Sequence, residues 1–237
     1  MKHRLRMSVA AASLVVLGIS AVASQANAFV LRVPQVPVLG GTLQAYLNSE
    51  GESINVLTDQ MDAQVWAQSA SGNALLTLMV SLTPSSNVNS IGIYNAGIAI
   101  PPLVFVLTSA SGPGSFSTLS FKPGNILVIN RFDAGANFIS QTTFGPIDPN
   151  NFGFYIATAN GVFFSEDGRN PGSKAQMLAY QGTGINAGEW WLCWEDAAVN
   201  GGTSDQDYDD EVLILESVNP LATEKTSLGS VKALYRK

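Results

Sequence analysis

Between residues 53 and 218 the chain is cut into short runs rich in Val, Ile, Leu, Phe and Tyr, separated by Gly, Pro, Ser and Asn at intervals that leave little room for helices. The runs are 53–57, 63–68, 74–82, 91–94, 103–107, 116–121, 126–132, 152–157, 162–164, 176–180, 189–194 and 211–218. Short β-type segments bounded by turn formers bury their faces only by pairing and stacking. About a dozen of them predict an all-β fold, an antiparallel β-sandwich (jelly-roll-like) with a single domain. The Leu and Met content of 74–82 admits a helix as the alternative there, and Pro84 ends either element. The segment 42–49 is the best helix candidate, with Thr42 as N-cap and Leu43, Tyr46 and Leu47 on one face. Ahead of it, Pro34 and Pro37 favour an extended leader over 29–40.

The first 28 residues read as a secretory signal. Lys2, His3, Arg4 and Arg6 form a basic start, 9–22 is apolar but short for a bilayer, and Ala26-Asn27-Ala28 suits cleavage after Ala28. The expected location is secreted or periplasmic, with no transmembrane anchor after cleavage. Removing this segment leaves nine basic against eighteen acidic residues, a formal charge of −9. That sign disfavours nucleic acid and anionic membranes as partners. The same cut removes His3, the only histidine, and with it Ser-His or Cys-His catalysis and His-ligated zinc or iron. Cys193 is the only cysteine, so no intramolecular disulfide forms. The sandwich is expected over 41–218. The tail over 219–237, with Lys225, Lys232, Arg236 and Lys237, reads as a solvated terminus or as a basic arm docking on the acidic domain.

The charge is unevenly distributed. Between positions 175 and 224 there are ten carboxylates and no Lys or Arg. Folding them into a compact loop crowds like charges, so they splay into water, rise in pKa, or gather around a metal ion. Asp205, Asp207 and Asp209 alternate, and Asp210 and Glu211 follow directly. Calcium takes six to eight hard oxygen ligands, which a loop of closely spaced carboxylates can supply. An EF-hand starting at Asp205 would need Gly where Asp210 stands, and its exiting helix is replaced by the strand-like 212–215. A calcium loop joining two strands fits better, with Asp205, Asp207 and Asp209 as first-choice ligands and Asp196, Glu195 and Asp210 as second. The alternative is an acidic hairpin loop kept soluble by its charge.

Trp194-Glu195-Asp196, then Gly201-Gly202, then Asp205-Gln206-Asp207-Tyr208-Asp209-Asp210-Glu211-Val212 resembles the C-terminal signature of a secreted bacterial family called domain of unknown function 4114. The similarity extends upstream to Ile91-Gly92-Ile93-Tyr94-Asn95, to Phe152-Gly153-Phe154-Tyr155 and to the segment 164–170, covering roughly 53–218. Gln206 replaces a commonly basic residue and Asp209 a common Asn, and no C-terminal sorting helix follows. The resemblance implies an exported β domain, calcium-linked, with no assigned catalysis.

Two further readings use the same segment. Trp190, Trp191 and Trp194 would form a carbohydrate platform if their rings faced solvent. Strand alternation instead puts Trp190, Leu192 and Trp194 on one face and Trp191 and Cys193 on the other, so at least one face is core. Glu189 with Glu195 is the least strained carboxylate pair for a glycosidase, and Ser173-Lys174 lies in a polar turn without catalytic context. The expectation is therefore a non-catalytic extracellular matrix or adhesion-type module with a structural calcium loop. Its expected partners are an extracellular polysaccharide or a surface protein. A carbohydrate-binding module is the alternative, and a glycosidase the third reading.

Overall fold

The computed structural model describes residues 30–69, 72–82 and 88–221. The expected secretory signal and the basic part of the tail lie outside these residues. Among the described residues one α-helix, α1 (Thr42–Ser49), precedes thirteen strands: β1 (Val65–Gln68), β2 (Asn73–Ser81), β3 (Ser90–Asn95), β4 (Val104–Thr108), β5 (Phe116–Lys122), β6 (Ile126–Phe132), β7 (Phe138–Phe144), β8 (Phe152–Thr158), β9 (Gly161–Phe164), β10 (Met177–Gln181), β11 (Trp190–Trp194), β12 (Glu211–Glu216) and β13 (Val218–Leu221). They form two antiparallel sheets. One runs β10-β11-β12-β2-β5-β6-β7; the other runs β13-β1-β8-β3-β4, with β9 also paired to β8. The chain is an all-β sandwich.

The main core lies between the sheets, where Trp66 meets Trp190 edge-on at 5.4 Å and Phe154 at 6.0 Å. Leu76, Ile93, Leu192, Trp194 and Leu213 fill the same layer. Aromatic rings of this size supply much of the apolar burial that offsets chain entropy. A second core covers the outer face of β10, β11 and β12. Leu43 and Leu47 of α1, with Ile54 and Val56, pack there against Leu178, Trp191, Cys193 and Ile214. The alternation expected along β11 is present, and both faces are buried because α1 and its flanking segments close the second one.

Two tyrosine–glycine pairs shape the outer face of the other sheet. Gly92 pairs with Tyr155 and Tyr94 with Gly153 across the β3–β8 ladder. A Cβ on Gly92 would stand 2.3 Å from the Tyr155 ring, and one on Gly153 would stand 2.4 Å from Tyr94. Each ring lies over a glycine where a side chain would otherwise stand. Arg169 then covers Tyr94 at 5.1 Å from the ring centre, and Glu166 accepts the Tyr94 hydroxyl at 2.9 Å.

Several local expectations change. Positions 53–57 form a turn-containing loop, because Asn55 and Asp59 capture neighbouring amides at 2.8–2.9 Å and compete with a ladder. The N-cap of α1 is Gly41 in left-handed geometry, and Thr42 is the first helical residue. Segment 74–82 is strand, not helix, and lies between β12 and β5. The run 211–218 is two strands, since Ser217 adopts φ +60° and sends the chain from one sheet to the other. Pro220 lies within β13, which ends one sheet, where a missing amide is tolerated. β7 was not among the expected runs. The leader packs rather than trails, with the Arg32 amide donating to the Gln60 carbonyl at 2.8 Å and Val36 and Val38 against the second core.

Candidate metal centre in the acidic loop

β11 and β12 are adjacent antiparallel strands, with Trp194 opposite Glu211, so the sixteen residues 195–210 must leave and return at one end of the sheet. Glu195, directly after β11, is fully buried. Its Oε1 accepts the Tyr208 amide at 2.7 Å, and its Oε2 accepts the Ser204 hydroxyl. These bonds fold the distal loop back onto the strand end. Gln206 and Tyr208 take φ +61° and +58°, a left-handed geometry that non-glycine residues adopt at some cost. Tyr208 is anchored there by its hydroxyl, which donates to the Ala175 carbonyl at 3.0 Å.

The outcome is a group of three carboxylates. Glu195, Asp205 and Asp207 each present one oxygen, and these lie within 4.8 Å of one another. Two oxygens bound to one calcium at about 2.4 Å can be at most ~4.8 Å apart, so the spacing fits a shared hard cation. The donor set is all oxygen, which suits calcium or magnesium rather than softer metals.

The other expected ligands sit around this group. Asp209 is 4 % exposed, and its Oδ2 has no hydrogen-bond partner among the described residues. It is near enough to Asp207 to push that carboxyl's pKa upward. Asp210 turns away, with its Oδ2 accepting the Asp196 amide at 2.8 Å. Asp196 is buried, and its carbonyl accepts from Thr158 and Asn160 at 2.8 and 3.2 Å. Glu211 is fully buried and accepts from Ser81 and Asn89 at 2.9 and 3.0 Å.

Electrostatics match the crowding. Burial, followed by repulsion from Asp209 and Asp205, pushes Asp207 up to about 7. Burial also dominates at Asp210, pushed up to about 7; the Asp196 amide pulls the other way, while Asp196, Glu195 and Asp205 add repulsion. Glu195 is raised by burial in spite of the hydrogen bonds it accepts. Among the described residues the two ion pairs, Arg32–Asp167 and Arg169–Glu166, lie outside the loop.

Both competing readings lose their geometry. Trp190, Trp191 and Trp194 are at most 1 % exposed, as is Trp66, so no indole face is open to a sugar. Glu189 and Glu195 flank β11 at opposite ends, about 20 Å apart along an extended strand. That exceeds the roughly 5–9.5 Å that glycosidase carboxylates require.

Two polar features escaped the sequence reading. Glu52 is 5 % exposed and accepts from Thr183, Asn186 and the Trp191 indole, the last at 2.9 Å. Burial opposes its ionisation, but these bonds win and its pKa is lowered. The leader also walls a cleft of about 820 Å³ lined by Arg32, Gln64, Asp167, Lys174, Gln206 and Tyr208. Leu39 donates its amide to the Gln206 carbonyl at 2.8 Å, tying the leader to the acidic loop. Arg32 is the leader's only charged residue, which was the available signal. No family model, curated protein or solved structure matches the chain.

Proposed function

We propose that this chain is an exported, non-catalytic β-sandwich module of the extracellular matrix or adhesion type, in which Glu195, Asp205 and Asp207 hold a structural calcium ion. The supporting observation is the set of three carboxylate oxygens within 4.8 Å of one another, one of them from a fully buried Glu. Without a cation this arrangement opposes folding at neutral pH, since burial disfavours the ionised forms of Glu195 and Asp207 and the neighbouring Asp205 charge repels both. With calcium bound, the same charges become ligands. Asp209, whose Oδ2 has no hydrogen-bond partner among the described residues and whose charge acts on Asp207, is the reserve carboxylate. The resemblance of 194–212 to the domain of unknown function 4114 signature belongs to the same reading.

The ion's role is mechanical. It would fix the β11–β12 connection and, through the Gln206–Leu39 bond, hold the leader against the second core. A partner would then meet a loop of one defined shape. Thermal unfolding at pH 8 in excess calcium and again in chelator tests the reading. A ligand at about a hundred times its dissociation constant adds roughly 2.7 kcal/mol of stability. For a domain of this size that is a rise of about 5–10 °C. A smaller rise in magnesium is expected; identical melting curves in calcium and chelator would reject the site.

A further inference from the structure

Buried polar atoms are nearly always hydrogen-bonded, so a group of them left without partners marks a place where water or a ligand belongs. The cleft beside the leader gathers such a group. Arg32, 6 % exposed, donates from Nη1 to Asp167 Oδ2, but among the described residues its Nε and Nη2 have no acceptor. Asp167 Oδ1 and Gln35 Oε1 have no donor there. All three residues line the cleft of about 820 Å³. A single water needs only about 10–15 Å³ of such space, so the cleft has room for a ligand of many atoms.

We propose that this cleft binds a segment of a neutral saccharide, with adjacent hydroxyls accepting from Arg32 and donating to Asp167 and Gln35. The unpartnered set selects that chemistry, because it holds two donors and two acceptors. Nε and Nη2 lie on one edge of the guanidinium and form a fork for two oxygens. A carboxylate would fill the fork but offers no proton to Asp167 or Gln35, and it would face the charges of Asp167 and Asp62, which also line the cleft. A hydroxyl donates and accepts at one atom, so neighbouring hydroxyls can serve Arg32 and the adjoining Asp167 together. A trans peptide group points its N–H and C=O in opposite directions and cannot. Pro34 and Pro37 supply an apolar wall for the C–H faces of the sugar ring.

The four atoms are shielded from bulk water, so the ligand reaches them by displacing Gln35. That side chain is half-buried, and among the described residues it bonds only within the leader, donating to the Arg32 carbonyl at 3.0 Å. Gln60 pins the leader on either side: its carbonyl accepts the Arg32 amide and its Oε1 the Val36 amide, both at 2.8 Å. Residues 33–35 can therefore shift between two fixed points. The site goes beyond the calcium reading and uses none of Glu195, Asp205 and Asp207.

Calorimetric titration of the folded chain in calcium with neutral hexasaccharides of glucose, mannose and galactose tests this, beside a hexamer of galacturonate. At least one neutral chain should bind with a dissociation constant of about 1 mM or tighter, and the Arg32 Nε–H resonance should shift as it does so. Gln35→Ala removes one acceptor, and Arg32→Lys keeps the charge facing Asp167 but loses the fork; each should weaken binding about tenfold. Should the buried Arg32 variant fail to fold, Gln35→Ala carries the comparison. No binding by any neutral chain, an unshifted Arg32 Nε–H, full affinity in Gln35→Ala, or tighter binding of the galacturonate would each overturn the proposal. The melting difference between calcium and chelator is measured separately, so either reading can fail without the other.

Discussion

At one end of the seven-stranded sheet β11 and β12 carry a loop crowded with carboxylates, and at the other end β7 carries no charge at all. The two ends handle polar groups in opposite ways. At the acidic end, an exposed and a half-buried carboxylate converge on the buried Glu195, so the local structure depends on what neutralises them. At the neutral end, the backbone itself is the unsatisfied group, so the local structure depends on what pairs with it. A buried charge calls for an ion, whereas an open edge calls for another strand. Burial is costly only where the missing partner cannot be water. Thus the acidic loop should carry the ion-dependent part of stability, while the exposed β7 edge should contribute least to it.

The largest effect should come from closing one edge badly. Arg131 is 9 % exposed, lies over Phe105 at 4.5 Å and satisfies two β4 carbonyls. Arg131→Ala should cost about 3 kcal/mol in urea unfolding, with the calcium response intact. An edge effect as small as that expected at β7 would show that β4 needs no cap. Next, Glu195→Gln should remove most of the roughly 2.7 kcal/mol calcium stabilisation, measured as the melting difference between calcium and chelator. Retention of the full difference would move the ligand set elsewhere in the loop.

Asp207→Asn should change sign with conditions. In chelator at pH 8 it relieves repulsion with Asp205 and Asp209 and should stabilise the fold by about 0.5–1 kcal/mol. In calcium it removes a ligand and should destabilise. Parallel shifts in both buffers would separate this carboxylate from the ion. A pH series follows from the raised carboxyls of Asp207 and Asp210, both pushed up to about 7. The folded state holds these protons between an unfolded pKa of about 4 and the folded value. Their contribution is therefore present below about pH 4 and is lost as pH rises toward 7. In chelator the melting temperature should carry this downward component across pH 4–7. In saturating calcium the component should flatten or reverse. The smallest effect should be at β7, where Thr143→Lys should alter monomer stability by under about 0.5 kcal/mol.

Much of the fold was legible because burial imposes a period. Trp190, Leu192 and Trp194 on one side of β11, with Trp191 and Cys193 on the other, followed from alternation alone. Segment 42–49 was legible as a helix from the spacing of Leu43 and Leu47. β7 escaped because Ser140 and Thr142 on its half-buried face are polar and serve Arg131, so its alternation carries no apolar period. The break at Ser217 escaped because a left-handed non-glycine residue leaves no compositional mark. In the acidic loop the sequence exposed the crowding of carboxylates but ranked Asp209 above Glu195.

The sequence by itself determined an all-β chain with a lone cysteine and an acidic loop between two apolar strands. Those properties are local, read from composition, spacing and charge. Tertiary structure decided which groups meet. Left-handed turns at Gln206 and Tyr208 brought Asp205 and Asp207 onto Glu195, and strand register laid Tyr155 over Gly92. It also set Arg131 against β4 and left β7 without a second neighbour among the described residues. Contacts between residues distant in sequence depend on register and sheet order, and those are fixed by the packing of the whole domain rather than by any one segment.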